Sequence, residues 1–167
     1  MTSRIALALA LAGALCLGGC RMADGPMPPS EGDVPNRLRD LSADLRNLLG
    51  GDADAPNDMA DDLLVFVDVA KKPDSVPAVR ELVNRVAAGL KGLDVDDAGR
   101  ERVVRQLWLV VAGRQLSDKQ IERVQEDLHS AMLSVKATEQ HAQAVASQAV
   151  EVQRRVTDRS RRWYELF

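Results

Sequence analysis

Cysteine is nearly missing from this chain of 167 residues: Cys16 and Cys20 are the whole supply, and both lie close to the start. Beyond position 20 there is no thiol for a disulfide and none for a thiolate metal site. Aromatic residues are almost as scarce, at 3%. Phe66, Trp108, Trp163, Tyr164 and Phe167 are the full set. A core must then come from Leu, Val and Ala, which suits thin helix–helix packing better than sheets. No run shows the strict two-residue alternation of a half-buried strand, so the fold class expected is all-α. Glycine and proline are missing from the last third, after Gly113.

Catalytic signatures are missing as well. The sequence holds no G-x-S-x-G, H-E-x-x-H, G-x-G-x-x-G or phosphate-loop pattern. Its two histidines, His129 and His141, stand 12 positions apart. On one continuous helix they would point about 120° apart, too far round to share a metal. Asp94-Val-Asp96-Asp97-Ala98-Gly99 has the outline of a calcium loop, but Ala98 and Arg105 occupy its fifth and twelfth positions, where oxygen ligands are required. Asp52 and Asp54 fail likewise, because Pro56 and Asn57 follow. The Asp94–Asp97 stretch suits a helix start, where carboxylates complement the dipole. No catalytic residue, cofactor or metal ligand is nominated, and the expectation is a protein that is not an enzyme.

What is present begins at the start of the chain. Arg4 precedes Ile5–Leu17, an apolar run broken only by Gly13. That is the length of a signal-peptide core and short of the ~20 residues of a membrane-spanning helix. The run ends in Leu17-Gly18-Gly19-Cys20. This resembles the lipobox of bacterial lipoproteins: an aliphatic residue, two small residues, then cysteine. Gly18 stands where Ala or Ser is commoner, and Ala12-Gly13-Ala14 offers a competing ordinary cleavage site. The resemblance covers the first 20 residues only. It implies cleavage between Gly19 and Cys20 and acylation of the thiol and new amino group of Cys20. Each buried CH₂ adds roughly 0.8 kcal/mol, so several acyl chains amount to a permanent membrane anchor. Arg21, in place of the aspartate that retains such proteins in the inner membrane, favours the outer membrane, with the protein facing the periplasm.

The chain then divides as 1–19 signal peptide, 20–35 acylated cysteine and tether, 36–116 helical bundle, and 117–167 long C-terminal helix. The tether, Arg21–Pro35, carries four prolines and two glycines. At about 3.1 Å per residue it reaches at most ~45 Å from the lipid. Its neighbourhood is acidic: Cys20–Ala70 contains 4 basic and 11 acidic residues, which reads as a solvated face.

Leu38, Leu41, Leu45, Leu48 and Leu49 predict a helix over Asn36–Leu49, ended by Gly50-Gly51. A second is expected over Asp58–Lys72, burying Leu63, Phe66, Val67 and Ala70 and stopped by Pro73. A third starts at Asp74 or Ser75, tolerates Pro77 in its first turn, buries Val79, Leu82, Val83, Val86 and Leu90, and closes at Gly92. A fourth starts at Asp96 or Asp97, buries Val103, Leu107, Val110 and Val111, and puts Trp108 at the edge. Ser117 and Gln120 then make a capping box, with Leu116 and Ile121 as its hydrophobic staple. Heptad positions from Ile121 read Val124, Leu128, Ala131, Val135, Thr138, Ala142, Val145, Ala149, Val152, Val156, Arg159, Trp163 and Leu166. This seam predicts one coiled-coil-like helix of about 48 residues, roughly 72 Å long. The Ala/Gln/Ser-rich span 137–149 is its weakest part, and a break there into two antiparallel helices is the competing reading.

Two features bear on partners. Leu116-Ser117-Asp118-Lys119-Gln120 is similar to a signature of small periplasmic helical chaperones, which carry it twice. It occurs once here, and the capping box accounts for the same residues. The second is the end of the chain, where Arg154, Arg155, Arg159, Arg161 and Arg162 precede Trp163, Tyr164 and Phe167. Arginine and aromatics are enriched at interface hot spots, so this segment is the candidate contact with a protein partner or with phosphate-rich lipid. The bland alternative is arginine complementing a helix C-terminus while the aromatics pack on the bundle. Export argues against nucleic acid. The sequence thus predicts an anchored envelope protein that binds an envelope partner or its own copies, or alternatively a periplasmic chaperone or stress sensor.

Overall fold

Leucine at three- and four-residue spacing winds the first helix, α1 (Val34–Leu49), and buries Leu41, Leu45 and Leu48. The structure, a computed structural model, describes residues 34–112 and 118–156. The helix begins two residues before the expected Asn36, taking Pro35 into its first turn, where the missing N–H costs nothing. It ends as expected on glycine. Gly51 adopts φ 84°, its N–H reaches Leu48 O, and Asp52 N–H reaches Asn47 O. This pair of bonds is the Schellman closure, which needs a left-handed residue at its hinge.

The second helix, α2 (Ala55–Leu64), is shorter than Asp58–Lys72 and shifted towards the N-terminus. Pro56 sits in its first turn, and after Leu64 the backbone tightens: Phe66 N–H bonds Leu63 O and Val67 N–H bonds Leu64 O. Phe66 and Val67 stay buried outside the helix, whereas Ala70 is exposed, against expectation. Phe66 meets Trp108 edge to face, ring centroids 6.3 Å apart, at the half-buried position expected for Trp108.

The third helix, α3 (Ser75–Leu90), and the fourth, α4 (Asp97–Ala112), have the starts and buried faces read from the sequence. Asp96 Oδ1 accepts the N–H of Gly99 at 2.7 Å, an N-cap in place of a calcium ligand. Asp52 Oδ1 likewise accepts the N–H of Asp54 at 3.0 Å and shapes the turn before α2.

The expected long C-terminal helix is overturned. The described residues form an all-α fold of six helices, with α5 (Asp118–Ser134) and α6 (Glu139–Val156) in place of one continuous rod. Lys136 is the hinge, at φ 67°. Its N–H bonds Leu133 O and the N–H of Ala137 bonds Met132 O, the same two-bond closure that ends α1. Thr138 then caps α6 through its hydroxyl on the N–H of His141. The seam Val124, Leu128, Ala131 and Val135 therefore does not continue along one helix; α6 folds back against α5 and packs most extensively on α3. His129 and His141, expected on one helix, lie on two.

A non-glycine residue in the left-handed region costs about 1–2 kcal/mol. Lys136→Gly is expected to raise stability by about 0.5–1 kcal/mol after glycine's larger unfolded-state entropy is deducted. Urea titration checks this, and a loss of stability would place the hinge elsewhere.

Candidate functional site

The signal cleavage pair Gly19 and Cys20 lies outside the described residues, as do Arg159, Arg161, Arg162, Trp163, Tyr164 and Phe167. Arg154 and Arg155 fall in the last turn of α6 and are exposed. Arg155 Nε is 2.7 Å from Glu151 Oε1, one turn back along the helix. Cation charge at a helix C-terminus opposes its negative dipole, and a further cation serves the same end: Lys72 Nζ donates to Val156 O at 2.8 Å. Lys72 comes from the connection between α2 and α3, so it ties that connection to the last described turn of α6. Two more bonds bridge α3 to α6, Arg85 Nη1 to Ala144 O at 3.3 Å and Gln148 Nε2 to Ala78 O at 3.1 Å. The root of the Arg-aromatic segment is thus held on the bundle by polar side chains as well as by the buried seam Ala142, Val145, Ala149, Val152 and Val156.

The histidines serve the hairpin. His129 Nε2 lies 2.9 Å from Glu139 Oε1, joining α5 to the first turn of α6, and His141 Nδ1 lies 3.2 Å from the capping hydroxyl of Thr138. Asp97 pairs with Arg100 one turn on and with Arg46 of α1 at 3.6 Å. Arg100 also donates to Val95 O, which ties the loop before α4 to its first turn. Among the described residues no group of three or more His, Cys, Asp or Glu side chains is arranged to hold a metal ion. Nor is any described helix long and apolar enough to cross a membrane.

The feature not foreseen is a carboxylate cluster in the seam between α1 and α2. Asp40 and Asp44 stand one turn apart on α1; Asp58 and Asp62 stand one turn apart on α2. Asp44 Oδ2 is closed off from solvent and meets no donor. Burial, then the charge of Asp62, a hydrogen bond with Asp62, and the charges of Asp58 and Asp40 lift the Asp44 carboxyl from its ordinary 3.8 to about 6. A signal was in the sequence: two aspartate pairs at four-residue spacing on consecutive helices. A reading of apolar periodicity counts such positions only as polar, and assigns them to a solvated face.

A comparison with protein-family models, curated proteins and solved structures finds no match.

Proposed function

We propose that this chain is a lipid-anchored component of a bacterial cell envelope, placed on the outer membrane facing the periplasm, that works through contacts with an envelope protein or its own copies rather than by catalysis. The observation that carries the reading is Leu17-Gly18-Gly19-Cys20 after an apolar run of signal-peptide length, followed at once by a proline- and glycine-rich tether. In support, the described residues after that stretch form a helical body, which a tether of this composition would hold at a distance from the lipid. The contact element is the end of the chain, with Arg154 and Arg155 at its root and Arg159, Arg161, Arg162, Trp163, Tyr164 and Phe167 beyond it.

Crosslinking in intact cells, followed by capture of the full chain, tests this in three forms: the natural chain, Cys20→Ser, and a truncation after Thr157. The expected results are one stoichiometric envelope protein, or the chain's own dimer, with the natural chain; loss of that product on truncation with the helical spectrum unchanged; and release of Cys20→Ser from the membrane fraction. Membrane retention of Cys20→Ser removes the anchor, and undiminished capture by the truncated chain removes the contact element. A broad set of unrelated exported proteins would replace the reading with a chaperone.

A further inference from the structure

The helices run in alternate directions, so the fold has two ends. One end gathers the connections α1–α2, α3–α4 and α5–α6. Arg46, at the close of α1, lies 3.6 Å from Asp97 at the start of α4, and a Cβ at Gly99 would stand 2.7 Å from Val135 beside the α5–α6 turn. A Cβ at Gly89, at the close of α3, would stand 3.1 Å from His141 Cβ at the start of α6. The opposite end therefore carries the start of α1 and the closes of α2, α4 and α6. Two contacts register it: Phe66, just past α2, on Trp108, and Lys72, just before α3, on Val156 O. Counting back from Arg46 as far as Trp108 lies beyond Asp97 brings α1 to Pro35. The described chain thus enters at Val34 and leaves at Val156 on the same end.

Charge differs between the two ends. Among the described side chains, the far end holds Asp52, Asp54, Asp94, Asp96, Asp97 and Glu139 against Arg46, Lys91, Arg100 and Lys136. The end with both exits holds Arg37, Lys71, Lys72, Lys119, Arg154 and Arg155 against Asp61, Asp62, Asp68 and Asp74. Lys71 is on Asp68 at 2.9 Å and Arg80 on Asp61 at 3.4 Å, surface pairs of a kind that contributes little in water. The segment after Val156 adds Arg159, Arg161 and Arg162, then Trp163 and Tyr164. Arginine near a bilayer is attracted by anionic headgroups, and Trp and Tyr settle at the membrane–water interface.

We propose that the end carrying Val34 and Val156 rests on an anionic phospholipid surface, with Arg154, Arg155 and the segment beyond them as a second, non-covalent attachment. The proposal rests on the anchored reading of Cys20 and deepens it: the contact element is presented at the lipid surface, where an envelope partner is met. The tether sets only a ceiling on the distance from the lipid. Attachment at the same end draws the bundle down, with its acidic end outermost. Each arginine near an anionic surface is worth about fivefold in partitioning, so Arg159, Arg161 and Arg162 together supply about 100-fold.

The full acylated chain in lipid vesicles tests this, because Trp108 and Trp163 are its two tryptophans. Trp108→Phe leaves Trp163 as the reporter and breaks no hydrogen bond, since Trp108 Nε1 meets no acceptor among the described residues. Trp163 emission should be quenched by brominated lipid in vesicles containing phosphatidylglycerol. That quenching should be lost in phosphatidylcholine alone, in about 1 M salt, and with Arg159→Ala, Arg161→Ala and Arg162→Ala combined. A fluorophore on Asp74→Cys should be quenched by headgroup-nitroxide lipid, and one on Asp94→Cys should not. Both positions are exposed, and Asp74 makes no side-chain capping bond to α3. An unquenched Trp163 in anionic vesicles overturns the proposal and leaves the segment to a protein partner. Equal quenching at Asp74→Cys and Asp94→Cys overturns the orientation. The anchor is read separately, by mass: absence of acyl chains on Cys20 overturns the anchored reading and this proposal with it, whereas acyl chains with an unquenched Trp163 overturn this proposal alone.

Discussion

Gly99→Val is expected to cost about 3 kcal/mol, at the upper end of what overpacking does to a close-packed interior. Helix propensity alone predicts the opposite sign for Gly99→Ala, since glycine in a helix is worth up to about 1 kcal/mol less than alanine. Space decides against it. A Cβ at Gly99 would stand 2.7 Å from Val135 Cγ1, 2.9 Å from Asp96 Oδ1 and 3.1 Å from Val95 Cγ1. Neither principal neighbour yields freely. Val135 is β-branched, buried, and sits at the end of α5 where the left-handed turn begins, so its χ1 has few alternatives. Asp96 Oδ1 is the atom that caps α4 on the N–H of Gly99 itself. Gly99→Ala should therefore lose about 1 kcal/mol net of its propensity gain, with Gly99→Val losing more. Val135→Ala in the same chain should recover part of the Gly99→Ala loss, a positive coupling of about 1 kcal/mol in a double-mutant cycle by urea unfolding. A stabilised Gly99→Ala would mean that α4 and the α5–α6 turn do not approach this closely.

That contact also shows where the sequence could be read and where it could not. Helix ends that used glycine or proline were legible: Gly51 closes α1, Gly92 follows α3 at φ 74°, and Pro77 lies in the first turn of α3. Each is a residue whose backbone preference is visible without knowledge of the fold. The α5 end uses the same two backbone bonds as the α1 end but places lysine at the hinge. Lysine is a good helix former, so local preference pointed to continuation while tertiary packing against α3 and α4 imposed the turn. Val124, Leu128, Ala131, Val135, Ala142, Val145, Ala149, Val152 and Val156 are buried as their heptad positions suggested, since a hairpin and a rod bury the same face of each half. Thr138, however, is exposed where the turn interrupts the seam, and Ile121, Arg159, Trp163 and Leu166 lie outside the described side chains. The end of α2 failed for a related reason. Phe66 and Val67 are buried as their period suggested, yet they are held by a tightened, non-helical turn that periodicity does not distinguish from helix. The Asp44 seam was hidden by pairing across two helices, which spacing along one helix does not reveal.

Leu82→Ala should lose about 3 kcal/mol, within the 2–5 kcal/mol range for truncating a buried leucine. Leu82 is fully buried, on the helix that packs against both α2 and α6. The composition of the core sets the size of the loss. Apart from Phe66 it is almost all Leu, Val, Ala and Met, with Val79, Val83 and Val86 on α3 itself. Branched valines are stiff and alanine has nothing to move, so a cavity beside them collapses little. Against a total stability of 5–15 kcal/mol this is a large fraction, and calorimetry should show a fall of about 10 °C in Tm. Leu133→Ala, at a position 39% exposed, should change stability by under about 0.5 kcal/mol and serves as the control. The consequence reaches the end of the chain. The α3–α6 interface carries the bonds from Arg85 and Gln148 that seat α6, and Arg154 and Arg155 ride on the last turn of that helix. A loss at Leu82 should therefore speed exchange of α6 amides more than those of α1. Equal acceleration in both would mean the six helices open only as one unit, with no separate looseness at the α6 end.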